Sequence, residues 1–226
     1  MIRARAVVFD LDGTLVDSAP AIRDVAGQFL AELGADALTL DETHGFIGRG
    51  AAAFVDQALA ARGLAPGAAE RARLQARFET LYAQAPGAAN RPYPGVEAAL
   101  QALGDAGIPL GLCTNKPEAP TRAVLAALGW SARFAALVAG DSLARRKPDP
   151  APLLHALEQL AVPVEDALYV GDSETDAETA RAAGCRFVLW PYGYRKALPE
   201  AMGALLVLER FEDLTEAVLP QRGLAR

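Results

Sequence analysis

Residues 6–14 read Ala-Val-Val-Phe-Asp-Leu-Asp-Gly-Thr: four apolar residues, then two carboxylates one residue apart, a glycine and a hydroxyl. The apolar run is short, continuous and stopped by a polar turn, which predicts a buried strand of a parallel sheet. Similar runs recur at 108–113, 134–139, 167–170, 186–190 and 204–208. Between them lie alanine- and leucine-rich segments with helical spacing, clearest at 94–106, 117–128, 150–160 and 174–183. Gly107, Gly129 and Gly184 stand where helix C-terminal caps belong. Strands alternating with helices predict an α/β fold, a Rossmann-like parallel sheet with helices on both faces.

Residues 16–91 break this rhythm. Segments 19–33, 51–62 and 68–84 carry helix formers with apolar spacing, and no convincing strand accompanies them. The Pro/Gly-rich stretch 85–94 predicts a hinge back to the sheet. The expected organisation is an α/β catalytic core of residues 1–15 and 92–226, with a helical cap domain of residues 16–91 inserted after the first strand.

The composition sets limits on function. The chain has 226 residues, 52% hydrophobic and 22% charged, an ordinary globular balance with enough apolar surface for a core. A formal net charge of -6 disfavours nucleic acid and anionic lipid as partners. The same field repels a small phosphate ester, so an anion site must bring its own cation or backbone N–H groups. Two cysteines, Cys113 and Cys185, do not make a disulfide scaffold, and both read as buried structural thiols. The sequence shows no signal-peptide pattern and no stretch long enough to span a membrane, so the expected address is the cytoplasm.

In an open parallel sheet, ligands bind beyond the carboxyl ends of the strands. Four polar clusters follow predicted strands. Asp10 and Asp12 face one crevice, and hard oxygen ligands at a phosphate site suggest Mg²⁺, while the same residues also suit an Asx-turn or helix cap. Thr114-Asn115-Lys116 combines a hydroxyl with the N–H groups of a helix start, which serves a phosphate or an ordinary cap. Lys147, in Arg145-Arg146-Lys147-Pro148-Asp149-Pro150, reads as a counter-charge for the carboxylates or as part of a solvated basic turn. Asp172 and Asp176, in Gly171-Asp172-Ser173-Glu174-Thr175-Asp176, lie near the start of a helix, where acids also suit the helix dipole. Capping needs alone do not account for all four clusters in this order.

The stretches VVFDLDGTLVDS, LCTNK, RRKPDP and YVGDSETD resemble those of the haloacid dehalogenase-like superfamily, and within it the phosphoglycolate phosphatases. The similarity covers essentially the whole chain. It implies that Asp10 is a nucleophile forming a phosphoryl-aspartate. Asp12 is then the general acid and base, and its backbone carbonyl also binds the metal. Thr114 and Asn115 bind phosphoryl oxygens, Lys147 pairs with the phosphate and Asp10, and Asp172 completes a Mg²⁺ site with Asp176 in support. The implied activity is hydrolysis of 2-phosphoglycolate to glycolate and phosphate. Dehalogenases and phosphonatases lack an acid at the position of Asp12, whereas sugar-phosphate phosphatases and β-phosphoglucomutase-like phosphotransferases keep both aspartates and stay open. A non-catalytic binding protein would have lost part of this acidic constellation.

The cap segment from His44 to Gly50 resembles the specificity loop of phosphoglycolate phosphatases. Arg49 there is a candidate for a substrate carboxylate through its bidentate fork, or a solvated arginine of an interhelical loop. His44 reads as a loop residue. The aromatic run from Trp190 to Arg195 reads as packing against the cap near the site mouth.

Overall fold

A computed structural model describes residues 2–220. The described residues form a six-stranded parallel sheet in the order β5-β4-β1-β6-β7-β8. Its strands are β1 Ala6–Phe9, β4 Leu110–Cys113, β5 Ala136–Val138, β6 Ala167–Gly171, β7 Arg186–Leu189 and β8 Leu206–Val207. β1 lies at the centre, with Val8 opposite Gly111 on one side and Tyr169 on the other. The strand pleat sends successive side chains to opposite faces. Val7 and Phe9 join one core with α5 Val96–Asp105, α6 Glu118–Ala127 and α9 Glu212–Val218; Val8 joins the other with α7 Ala151–Gln159 and α8 Glu174–Ala183. A strand buried on both faces reads as a continuous apolar run, which is why β1 was visible in the sequence.

Helices α1 Ala19–Ala31, α2 Leu40–Phe46, α3 Ala51–Ala61 and α4 Ala68–Gln84 pack around a third cluster of their own. Phe29, Phe54 and Phe78 are its centre, with ring centroids 5.6 Å (Phe29–Phe78) and 5.4 Å (Phe54–Phe78) apart. Two expectations for this region need correction. First, two short strands are present: β2 Val16–Asp17 pairs antiparallel with β3 Arg91–Pro92. Two residues each, one of them proline, are too few to leave a strand pattern. The stretch expected to be a hinge is therefore partly paired, and Gly87 lies against the α6 backbone, where a Cβ would fall 2.2 Å from the Ala123 oxygen. Second, His44 and Gly45 are not in a loop but in the last turn of α2, a helix the sequence reading missed. It begins with a capping box: Glu42 N donates to Thr39 Oγ1 (3.1 Å), and Thr39 N donates to Glu42 Oε2 (2.7 Å). Helix α9 was also unanticipated. No helix among the described residues is long and apolar enough to cross a membrane.

Candidate active site

The polar residues beyond β1, β4 and β6 meet at one end of the sheet. Asp10 extends the β1 ladder by one bond, its N–H donating to Val170 O at 2.9 Å. The chain then turns sharply. Leu15 N and Val16 N both donate to Leu11 O, and Gly13 takes φ +86°, a conformation that glycine adopts at no steric cost. Space decides the same point: a Cβ on Gly13 would lie 2.5 Å from Asp172 Oδ2. This turn aims Thr14 at Asp172, whose Oδ1 accepts from Thr14 Oγ1 at 2.8 Å and whose Oδ2 accepts from Tyr194 N at 2.6 Å.

Lys147 is buried and arrives from the loop before α7. Its Nζ lies 3.1 Å from Asp10 Oδ1 and 2.6 Å from Asp176 Oδ1, and it donates to Tyr169 OH at 2.8 Å. Asp176 is fully occupied. Oδ1 takes Lys147 and the Tyr169 hydroxyl, while Oδ2 takes Ser173 Oγ and the N–H groups of Ser173 and Asp172. Asp176 therefore closes the capping box of α8 and orients Lys147.

Asp10, Asp172 and Asp176 each bring a carboxylate oxygen within 4.8 Å of the others. The Asp12 carboxyl is not in this group. The Asp12 side chain turns instead to Lys116, whose Nζ is 3.0 Å from Oδ1 and 3.3 Å from Oδ2. Lys116 also donates to the hydroxyl of Tyr82 on α4, and its Nζ lies 4.6 Å from that ring's centroid.

The electrostatics follow from burial. Desolvation pushes Asp10 up to about 7; Lys147 opposes this, while Asp176 and Asp12 add to it. Burial raises Asp172 well above the carboxylate range, with Asp176 and Asp10 reinforcing it. Burial also works against the charged form of Asp176, but Lys147 and the hydrogen bonds around it win, and Asp176 falls below its ordinary value. Burial likewise disfavours the Lys147 ammonium, yet Asp10 and Asp176 outweigh it and hold the proton on. Three buried carboxylates thus share one ammonium. An excess of buried negative charge with hard oxygen donors fits a divalent cation.

Thr114 is buried, and its Oγ1 accepts from Lys116 N at 3.2 Å. The amide of Asn115 is committed elsewhere: Nδ2 donates to Gly48 O and Lys147 O, both at 3.0 Å. Asn115 Oδ1 has no partner among the described residues although it is buried. Asp10, Asp12, Thr114, Asn115 and Lys116 line one pocket, whose remaining walls are mainly apolar and include Ile22, Ile47, Phe54 and Phe78. Arg49 is not brought to this pocket. It is exposed and lines a neighbouring depression with Ser173, Glu174 and Lys196. Burial pushes the thiols of Cys113 and Cys185 up to about 12 and about 11, so neither is poised to react.

A carboxylate held against an ammonium, a second acid beside it, a buried hydroxyl and a further acidic group suit transfer of a charged group to oxygen. The sequence profile of haloacid dehalogenase-like hydrolases matches residues 4–184. The chain belongs to this family. A phosphoglycolate phosphatase of Cereibacter sphaeroides is 50% identical over 191 residues, covering 84% of this chain and 87% of that one. A "predicted phosphoglycolate phosphatase" from Haemophilus somnus superposes with a TM-score of 0.87 at 28% identity, covering 96% and 98% of the two chains. CbbY from Rhodobacter sphaeroides, in complex with xylulose-(1,5)bisphosphate, superposes at 0.76 with 28% identity, covering 95% and 96%.

Sequence reasoning missed three participants in this haloacid dehalogenase-like hydrolase. Lys116 stood in a quoted motif without a role. Tyr82 follows Leu74 and Phe78 at four-residue steps, a spacing that carries no signal of a polar role. Tyr194 was assigned to packing; it does stack on His44, with centroids 5.3 Å apart, and its N–H also holds Asp172.

Proposed function

We propose that this hydrolase removes phosphate from 2-phosphoglycolate through a phosphoryl-aspartate on Asp10. The reading of the chemistry rests on the convergence of Asp10, Lys147 and Asp172 beside Thr114. The reading of the substrate rests on the relatives named above and on the mainly apolar walls, which offer little to the hydroxyls of a sugar.

Asp10 attacks phosphorus in line, and Asp12 gives a proton to the departing alkoxide. Lys147 offsets charge on the phosphoryl oxygens and on Asp10, the main demand of phosphoryl transfer. Thr114 donates its hydroxyl to one oxygen. With the Asn115 amide committed to Gly48 and Lys147, the contribution of Asn115 is its backbone N–H and the bridge between the two halves of the site. Asp12 then takes a proton from water, which hydrolyses the acyl phosphate. Asp10, Asp172 and the Asp12 backbone carbonyl would hold Mg²⁺, with Asp176 in support through Lys147; when bound it supplies positive charge for the phosphoryl oxygens. We assign residues 16–91 the role of a cap that excludes bulk water, and place Arg49 on the approach to the site.

The test is phosphate release by the purified protein with Mg²⁺ from 2-phosphoglycolate, hexose phosphates and xylulose 1,5-bisphosphate. Preference for 2-phosphoglycolate is expected. Preference for a sugar phosphate would replace this reading with the one that the likeness to CbbY favours.

A further inference from the structure

Lys116 is the second ammonium buried at this site, and the first does not explain it. Lys147 serves Asp10 and Asp176. Lys116 is 1% exposed at its side chain and lies on the other side of Asp12, against Tyr82. Burying a second cation is costly unless it is paired, and the contacts of Lys116 go to the two oxygens of a single carboxylate, at 3.0 and 3.3 Å, and to one neutral hydroxyl. Tyr82 is in the same condition. Its oxygen accepts from Lys116, burial keeps its proton on, and its O–H meets no acceptor among the described residues. An unspent hydroxyl hydrogen and a buried ammonium balanced by one carboxylate therefore lie side by side in a pocket walled by Ile22, Phe54 and Phe78.

We infer that Lys116 and Tyr82 bind the carboxylate of the substrate, and so set its specificity. The inference rests on the 2-phosphoglycolate reading above and names the residues that carry it. Geometry supports the match. Asp12 must reach the ester oxygen to protonate it, and Lys116 is 3.0 Å from the same Asp12 carboxyl. In 2-phosphoglycolate the carboxylate carbon is two bonds from that oxygen, about 2.4 Å away. A group on the leaving side of Asp12 is thus next to Lys116. A carboxylate can accept from the Tyr82 O–H and set a second negative charge against the Lys116 ammonium, neither of which a neutral alkyl group can do. Tyr82 comes from α4 and Lys116 from the end of β4, so both halves of the molecule must be together for the carboxylate to be held.

The experiment compares kcat/KM for 2-phosphoglycolate and ethyl phosphate, which replaces the carboxylate with a methyl group, in wild type, Lys116→Met and Tyr82→Phe. Wild type should prefer 2-phosphoglycolate; if it does not, the substrate reading itself fails. Given that preference, Lys116→Met should lose roughly ten- to a hundredfold more on 2-phosphoglycolate than on ethyl phosphate. Tyr82→Phe should lose less but in the same selective way. Equal losses on both esters would mean that Lys116 serves only Asp12, and would overturn the inference while leaving the substrate intact. Should Lys116→Met not fold, as read by circular dichroism, Tyr82→Phe decides alone by the same ratio.

Discussion

Asp10 occupies a position that favours its neutral form, and this separates its chemical use from its effect on the fold. Burial pushes it up to about 7 from an ordinary 3.8, despite Lys147 at 3.1 Å. A carboxyl raised in the folded state binds more protons there than in the unfolded chain, so stability falls as pH rises from about 3.8 to 7. Asp10→Asn should abolish turnover. In metal-free protein at pH 8 it should also raise Tm, with the gap shrinking as pH drops below 7; a lower Tm at pH 8 would contradict this account, and residual turnover in a pure sample would remove Asp10 as nucleophile. Lys147→Met is the opposite case. It leaves Asp10 and Asp176 buried without their cation, and breaking a buried pair in this way costs about 3–5 kcal/mol, so it should lose stability and activity together in denaturant titrations and assays. Arg49→Ala, exposed on the neighbouring depression, should change kcat/KM little and equally for charged and uncharged leaving groups. Asp10, Thr114, Lys147 and Asp172 were legible because each sits just beyond an apolar run or in a basic turn. The pairing of Asp12 with Lys116 and Tyr82 was not, because helical spacing cannot distinguish a tyrosine whose ring fills a core from one whose hydroxyl reaches a lysine.

Elements were legible in proportion to the punctuation at their ends. Helix α8 was read at its observed bounds, because Ser173 caps one end and Gly184, at φ +70°, the other. Helix α2 also has a capping box, but Gly45 in its last turn masked it, and strands β2 and β3 are too short for any pattern. The ends of α2 and α3 are held by an ion pair that gives a test of this region. Arg62 donates to both Glu42 oxygens at 2.8 Å, and this hydrogen bonding, with that of Thr39, brings Glu42 down to about 2 from 4.5. A carboxylate lowered in the folded state stabilises above its unfolded value and loses that effect as pH falls through the folded one. The Tm difference between wild type and Glu42→Gln should therefore be constant above pH 4.5 and narrow progressively towards pH 2; a gap unchanged over that window would show that the charge is not what holds these ends. On the other side of the site, the loop after β7 approaches Asp172 so closely that a Cβ on Gly193 would lie 2.2 Å from the Gly13 oxygen and 2.3 Å from Asp172 Oδ2. Neither neighbour can retreat without moving the acid cluster. Gly193→Ala should lose activity well beyond its loss in Tm.

At the scale of the molecule, the acid cluster is buried excess negative charge, which a bound cation would offset. Exhaustive chelation should stop hydrolysis and lower Tm, and Mg²⁺ should restore both; a cation at a hundred times its Kd adds about 2.7 kcal/mol to the folded state. Full activity after metal removal would refute the cation. The sheet order carries a different consequence, one for how the chain is made. β1 leaves the ribosome well before its neighbours, β4, beginning at Leu110, and β6, beginning at Ala167. At about 5–20 residues per second, β1 waits roughly 5–20 s for its first partner. Meanwhile α1 to α4, which share their own apolar cluster, have emerged and can fold on one another. Synthesis therefore delivers α1 to α4 before either neighbour of β1. No nascent chain shorter than one reaching Gly171 can flank β1 on both sides, and none shorter than one reaching Tyr194 can place the N–H that holds Asp172.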